Sequence, residues 1–368
     1  MEHKWNTSKT PPMSGLLFEN DFKIHWQTET GTNQSSITTF ILLGFGSLRE
    51  LQILFFLLFL AIYILSITGN LLIVFLVVVD QHLHTPMYFF LMNLSCLETC
   101  YTTTILPRLL ASFLTGDRSI SMKGCITQYY FFGFLAATEC YLLTMMSYDR
   151  YLAICKPLHY TTLMNSRLCI QLALTSWLCG LVTNTIITSF MFELRFCGPN
   201  EIDHYFCDLY PVTNLSCSNT QNVRFATFVL AFLGIVPPFV LTLASYVCII
   251  VTILQIKSRT AQQKAFSTCS SHLIVVTLFF VSLIMVYVVP ETDALKELHK
   301  TLSVFYTVLT PVLNPLIYSL RNKEVKEAFF RLTRKLSNKG CNPNPFSSSD
   351  IRTMQLQEIC RVKWTLKK

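Results

Sequence analysis

GFLAATECYLLTMMSYDRYLAICKPLHY, residues 133–160, joins an apolar run to an abrupt polar end: Asp149 and Arg150 stand side by side, and a Lys156-Pro157 turn follows. A charge is costly in the middle of a bilayer. At its edge, headgroups and water solvate the charge, and a long Arg side chain reaches outward. The stretch therefore reads as a membrane helix ending at an interface. Composition agrees, because 368 residues with 52% hydrophobic, 14% charged and a mean hydropathy of +0.45 carry too little charge for an ordinary soluble chain.

Apolar segments of roughly 20 residues or more, enough to cross a bilayer, recur at 51–79, 86–114, 125–154, 168–190, 223–256, 265–289 and 298–320. Lipid forces each span to satisfy its own backbone hydrogen bonds. The expected fold is thus an all-α integral membrane protein, a seven-transmembrane helix bundle over 51–320. After it, RNKEVKEAFFRLTRKL places Val325, Ala328, Phe329 and Leu332 on one face among bases. Residues 321–337 are therefore expected to form a short amphipathic helix on the cytoplasmic membrane surface, in contact with lipid.

Lys and Arg set the orientation. With the N-terminus outside, the inner loops and tail carry 18 Lys+Arg against 6 Asp+Glu, and the outer side 11 against 13. The positive-inside rule then places the N-terminus extracellular and the C-terminus cytoplasmic. The net charge of +8 is a matter of topology and lipid contact, not of nucleic acid. Residues 1–50 hold no apolar block and are expected to be disordered, with Asn6 and Asn33 as glycosylation acceptors. The sequon at Asn93 falls inside a span and is discounted. The tail 338–368 is also expected to be disordered.

Most of the fourteen cysteines fall in spans. Cys125, Cys197, Cys207 and Cys217 lie on the oxidising outer side, where spacing alone leaves three pairings open.

Four blocks, LHTPMYFFLMNLS (83–95), MSYDRYLAICKPLHY (146–160), KAFSTCSSHL (264–273) and PVLNPLIYSLRN (311–322), resemble the signature motifs of odorant receptors. These are rhodopsin-like G-protein-coupled receptors. The blocks occur in family order, and the likeness extends over about 33–337. It implies a plasma-membrane receptor, not an enzyme, that binds a small, mostly apolar volatile odorant. It further implies activation of a stimulatory, olfactory-type heterotrimeric G protein that raises cyclic AMP. The disulfides expected are Cys125–Cys207 and Cys197–Cys217. The implied switch uses Asp149, Arg150 and Tyr151, with Tyr246 and Tyr318 turning inward toward the arginine. Asn314-Pro315 adds a kink that serves as a pivot. No metal-ligand cluster, nucleophile triad or phosphate loop points to catalysis.

Glu98 and Glu139 lie inside spans, where carboxylates are expensive and usually functional. The matching family positions face one another. A pair so placed needs either a bridging sodium ion or a proton on one member, the latter hydrogen-bonded to Asn70 or Asn314. No cofactor is expected beyond that ion. The family more often has Asp where Glu98 stands.

By the same resemblance, the ligand pocket involves Tyr129, Phe132, Gly133, Ala136 and Ala137, then Leu230 and Gly234. Leu283, Ile284, Tyr287, Ser303 and Thr307 complete it. At each position ordinary helix packing is nearly as good a reading. Together they suit a weakly polar organic molecule. About 10 heavy atoms at about 0.5 kcal/mol each give roughly −5 kcal/mol, a weak affinity. Phe280-Val281 stands where the family commonly has Tyr-Gly. A chemosensor acting outside olfactory tissue, or a transporter or channel, are the alternative readings; no paired repeats support the last.

Overall fold

A computed structural model describes residues 37–46, 51–290 and 292–340. In chain order its helices are α1 (Gln52–Val79), α2 (Pro86–Thr115), α3 (Met122–Cys155), the short α4 (Pro157–Leu163), α5 (Ser166–Met191), the short α6 (Leu209–Thr213), α7 (Gln221–Leu254) and α8 (Arg259–Tyr287). The seventh span is composite: α9 (Lys296–Val304), a π turn over Phe305–Leu309, and α10 (Thr310–Arg321). Helix α11 (Lys323–Gly340) follows.

Local chemistry sets these ends. Pro86 opens α2, where its missing N–H has no helical partner to lose. The Ser121 hydroxyl accepts from the Gly124 N–H at 3.1 Å to start α3, and the Asn165 amide oxygen accepts from Leu168 at 2.9 Å to start α5. Gly116, at φ 74°, closes α2 in the left-handed conformation that glycine adopts without strain.

Among the described residues, α1, α5 and α7 are by length and composition apolar enough to cross a membrane. The other spans are more mixed, because they carry the polar groups of the interior: Glu98 and Thr102 on α2, and Glu139 and Ser147 on α3, are fully buried. Exposed apolar side chains, such as Ile53, Leu54 and Leu57 on α1, face outward where lipid would lie. Two close approaches fix the packing. A Cβ on Gly180 of α5 would collide with Thr138 and the Phe134 carbonyl of α3, and one on Gly69 of α1 would come within 3.0 Å of Pro315.

Three boundaries differ from expectation. The N-terminal segment is not structureless throughout, for Thr39–Leu42 form strand β1. It pairs antiparallel with β2 (Ser119–Ser121) and parallel with β3 (Glu201–Ile202). Phe40 and Leu42 point inward, Phe40 edge-on to Phe196 at 5.2 Å, a period-2 pattern too short to read in four residues. The sixth span begins at Arg259 rather than 265, since its polar first turns lie outside any apolar window. Helix α11 runs to Gly340 instead of ending at 337. Asn6, Asn33 and residues 341–368 lie outside the described residues.

Candidate functional site

The outer half of the bundle contains a cavity of about 80 Å³. From α3 come Tyr129, Phe132, Gly133, Ala136, Ala137, Cys140 and Tyr141; from α7, Thr227, Leu230, Ala231, Gly234 and Ile235; from α8, Leu283 and Tyr287. Helix α5 adds Thr183, Asn184 and Ile187, and Leu209 closes the top. The structure thus brings together nine of the expected residues and leaves three out. Ile284 packs into the core. Ser303 lines a separate outer vestibule. The Thr307 hydroxyl bonds the Ser303 carbonyl at 2.7 Å and the Tyr205 hydroxyl at 2.8 Å. The Tyr205 ring of the outer loop, through this contact, and Tyr306 of the same span are both buried there. The α5 residues were missed, although TN in LVTNTIITSF is a polar pair inside an apolar span and was the available signal. Phe280 is absent from the wall and stacks on Phe239 at 5.3 Å.

A lid covers this cavity. Cys207 is bonded to Cys125 at the top of α3, and its N–H donates to the Gln128 side-chain oxygen at 2.9 Å. Phe206 packs edge-on to Phe132 at 4.7 Å. The second disulfide, Cys197–Cys217, closes the loop base. The Tyr287 hydroxyl donates to Asp208 at 2.8 Å, and the Tyr210 hydroxyl to the Tyr287 carbonyl at 3.1 Å, separating cavity from vestibule. Burial, aided by nearby Lys300, lowers the His204 pKa to about 3, so the ring in this lid is neutral.

Midway down, the Asn314 amide donates to Glu98, and Glu98 interacts electrostatically with Glu139. Glu98 Oε2, both Glu139 carboxylate oxygens and Asn70 Oδ1 are buried without hydrogen-bond partners. A buried pair of carboxyls with unpartnered oxygens calls for either a cation or a proton. Beside it, Pro315 has no N–H to donate to the Pro311 carbonyl, and Ser66 Oγ and Asn70 Nδ2 donate to that carbonyl instead, each at 3.1 Å. The helix defect is satisfied from α1.

At the inner end, Arg150 donates to Asp149 through Nε at 2.9 Å and through a terminal nitrogen. The second Asp149 oxygen accepts from the Tyr160 hydroxyl of α4 at 2.7 Å. Burial, and then Asp149, push that phenol's pKa up, so it remains a donor. Sequence reasoning missed Tyr160, although it closes the same motif eleven residues on. Tyr246 does not bond Arg150: its hydroxyl meets His272 of α8. Tyr151 packs beside that cluster, its ring 6.4 Å from Tyr148. The Tyr318 side chain lies outside the described side chains.

The profile of the olfactory receptor family matches residues 59–338. Human olfactory receptor 10A7 is 48% identical over 308 residues, covering 83% of this chain and 98% of the relative. Human olfactory receptor 11L1 is 49% identical over 303 residues, 82% and 94% of the two chains. Mouse olfactory receptor 6E1 is 46% identical over 298 residues, 81% and 95%.

Proposed function

The chain belongs to the olfactory receptor family, a class of multi-pass membrane receptors rather than enzymes, and on that premise we propose how this receptor works. A small, mostly apolar volatile binds in the outer cavity, and the receptor then activates a stimulatory heterotrimeric G protein that raises cyclic AMP. The observation that carries this is the presence, in one bundle, of a cavity lined by uncharged side chains near the outer end and an Asp149–Arg150–Tyr160 clasp at the inner end. The N-terminus is extracellular and the C-terminus cytoplasmic at the plasma membrane, supported by the distribution of Lys and Arg.

At rest Asp149 holds Arg150, while Tyr246 of α7 and His272 of α8 hold each other. Ligand contacts with α7 and α8 favour a state in which the inner end of α8 swings out. A ligand can shift that equilibrium only by its differential affinity for the two states. Outward movement breaks the Tyr246–His272 contact and frees Arg150 for an entering G-protein helix. Asn314-Pro315, with Tyr318 one turn below, is the pivot of the seventh span. Glu98 and Glu139 would hold a sodium ion in the core beside Asn70, and its charge would offset the two carboxylates. In that case Glu139→Gln removes the sodium dependence of signalling.

The test is a cyclic-AMP reporter assay on cells displaying the receptor, screened against chemically diverse odorants beside Arg150→Ala. A response in the parent that is lost in the variant, at equal surface display, supports the mechanism. A response unchanged in Arg150→Ala refutes the clasp. Failure to engage any heterotrimer whatever the ligand refutes the receptor reading.

A further inference from the structure

A fourth sequon stands in the outer loop: Asn214-Leu215-Ser216 fits Asn-X-Ser with an X other than proline. A bare match decides little; its place in the fold decides more. Asn93, in the same kind of motif, lies within α2 and is half-buried. Its side chain donates to the Phe89 carbonyl at 2.9 Å and accepts from Trp177 at 3.3 Å, and no glycosyl transferase reaches it at that depth. Asn214 differs on every count. It is exposed and caps the C-terminal end of α6, outside the spans.

Two observations put this loop where glycans are added. Cys207, before the sequon, is bonded to Cys125, and Cys217, directly after it, to Cys197. Disulfides form in the oxidising lumen of the secretory pathway, the compartment that also holds the transferase. The loop is also carried clear of the bilayer. Helix α7 begins at Gln221 and has 34 residues, about 51 Å at 1.5 Å per residue, against a hydrocarbon core of about 30 Å. Its first turn presents exposed Gln221, Asn222 and Arg224, so that turn lies beyond the lipid and Asn214 farther out still.

Resting on the outward orientation proposed above, we infer that Asn214 carries an N-linked oligosaccharide. Its side-chain nitrogen bonds to the anomeric carbon of a sugar chain carried on a polyprenyl diphosphate. The bond from that carbon to the diphosphate oxygen breaks, the electron pair leaves with the diphosphate, and one amide proton is released. The contacts of the folded loop tolerate the product. Arg224 donates to the Asn214 side-chain oxygen at 2.6 Å, and the modified amide keeps that oxygen and one N–H. The folded turn, with the Ser216 N–H on the Thr213 carbonyl at 3.2 Å, holds the motif against the protein, so transfer precedes closure of the Cys197–Cys217 loop. Asn214 lines the outer vestibule with Glu201 and Lys296 and is absent from the wall of the odorant cavity. A bulky, hydrated group therefore stands at the vestibule rim and leaves the cavity open.

The test uses the full chain with an N-terminal epitope tag, expressed in mammalian cells on an Asn6→Gln, Asn33→Gln background. Whole-cell protein is compared before and after peptide N-glycosidase, which requires neither surface display nor a ligand. One mobility step that the enzyme removes is expected. Asn214→Gln and Ser216→Ala should abolish it, and Ser216→Thr, which alters the same position but retains the motif, should keep it. Protease treatment of sealed microsomes reads the orientation separately, because a lumenal tag is protected. A protected tag without the mobility step, or a step that survives Asn214→Gln, overturns the inference and leaves the receptor's orientation standing. A digested tag without the step overturns both.

Discussion

Asp149 is buried, yet its two oxygens are shared between Arg150 and Tyr160. A hydrogen bond to a charged group contributes about 1.5–3 kcal/mol. Tyr160→Phe removes one such bond without removing the ring, and it should weaken the resting clasp. The expected outcome is a several-fold rise in ligand-free cyclic AMP at unchanged surface display. His204 sets a second residue-scale expectation. Its folded pKa of about 3 lies below the ordinary 6.5. The unfolded lid therefore binds more protons over that interval, and the lid loses stability as pH falls from about 6.5 toward 3. Hydrogen exchange over residues 201–210 should quicken at pH 5 relative to pH 7.4, and His204→Phe should flatten the difference.

Among the elements, the seventh span is the least regular. Its π turn shifts the register just above Pro311, and Pro315 then leaves the Pro311 carbonyl to Ser66 and Asn70 of α1. Irregular backbone persists at membrane depth only where protein satisfies it, so this defect depends on a neighbouring helix. Helix α11 is tied down in a similar way. Burial alone would raise the Asp80 pKa, but hydrogen bonds from His82 and Arg331 outweigh it and lower the value to about 2. The Arg331–Asp80 pair, at 2.8 Å, links α11 to the first inner loop. Because the carboxylate is favoured in the folded form, this link is complete above about pH 4 and is lost only as pH falls toward 2. Arg331→Ala should therefore release α11 at neutral pH, seen as faster hydrogen exchange over 323–334 with the spans unaffected.

For the whole molecule, the Cys125–Cys207 bridge joins residues 82 apart and fixes the lid to the top of α3. Loss of such a bridge costs about 2–5 kcal/mol. Cys125→Ser, Cys207→Ser and the double variant should lose surface display to the same extent, since each removes the same link. Cys197→Ser, which opens a 20-residue loop, should lose less. Unequal losses between the two members of the first pair would mean that the remaining thiol acts on its own.

By itself the sequence determined that the chain is a bundle of membrane-spanning helices, because bilayer thickness and the cost of charge in lipid act on every residue separately. It also marked Asp149, Arg150, Glu98, Glu139 and Pro315, whose chemistry is conspicuous against an apolar background. Only the tertiary structure decided which polar groups find partners. Thr227 and Thr144 look alike in sequence, yet the Thr144 hydroxyl is satisfied by its own helix and the Thr227 hydroxyl is buried without a partner. The separation of Ser303 and Thr307 from that cavity, the contribution of α5 to it, and the return of Tyr160 to Asp149 all arise from helices meeting across the bundle. Local pattern records what a residue prefers to have beside it; packing determines what stands there.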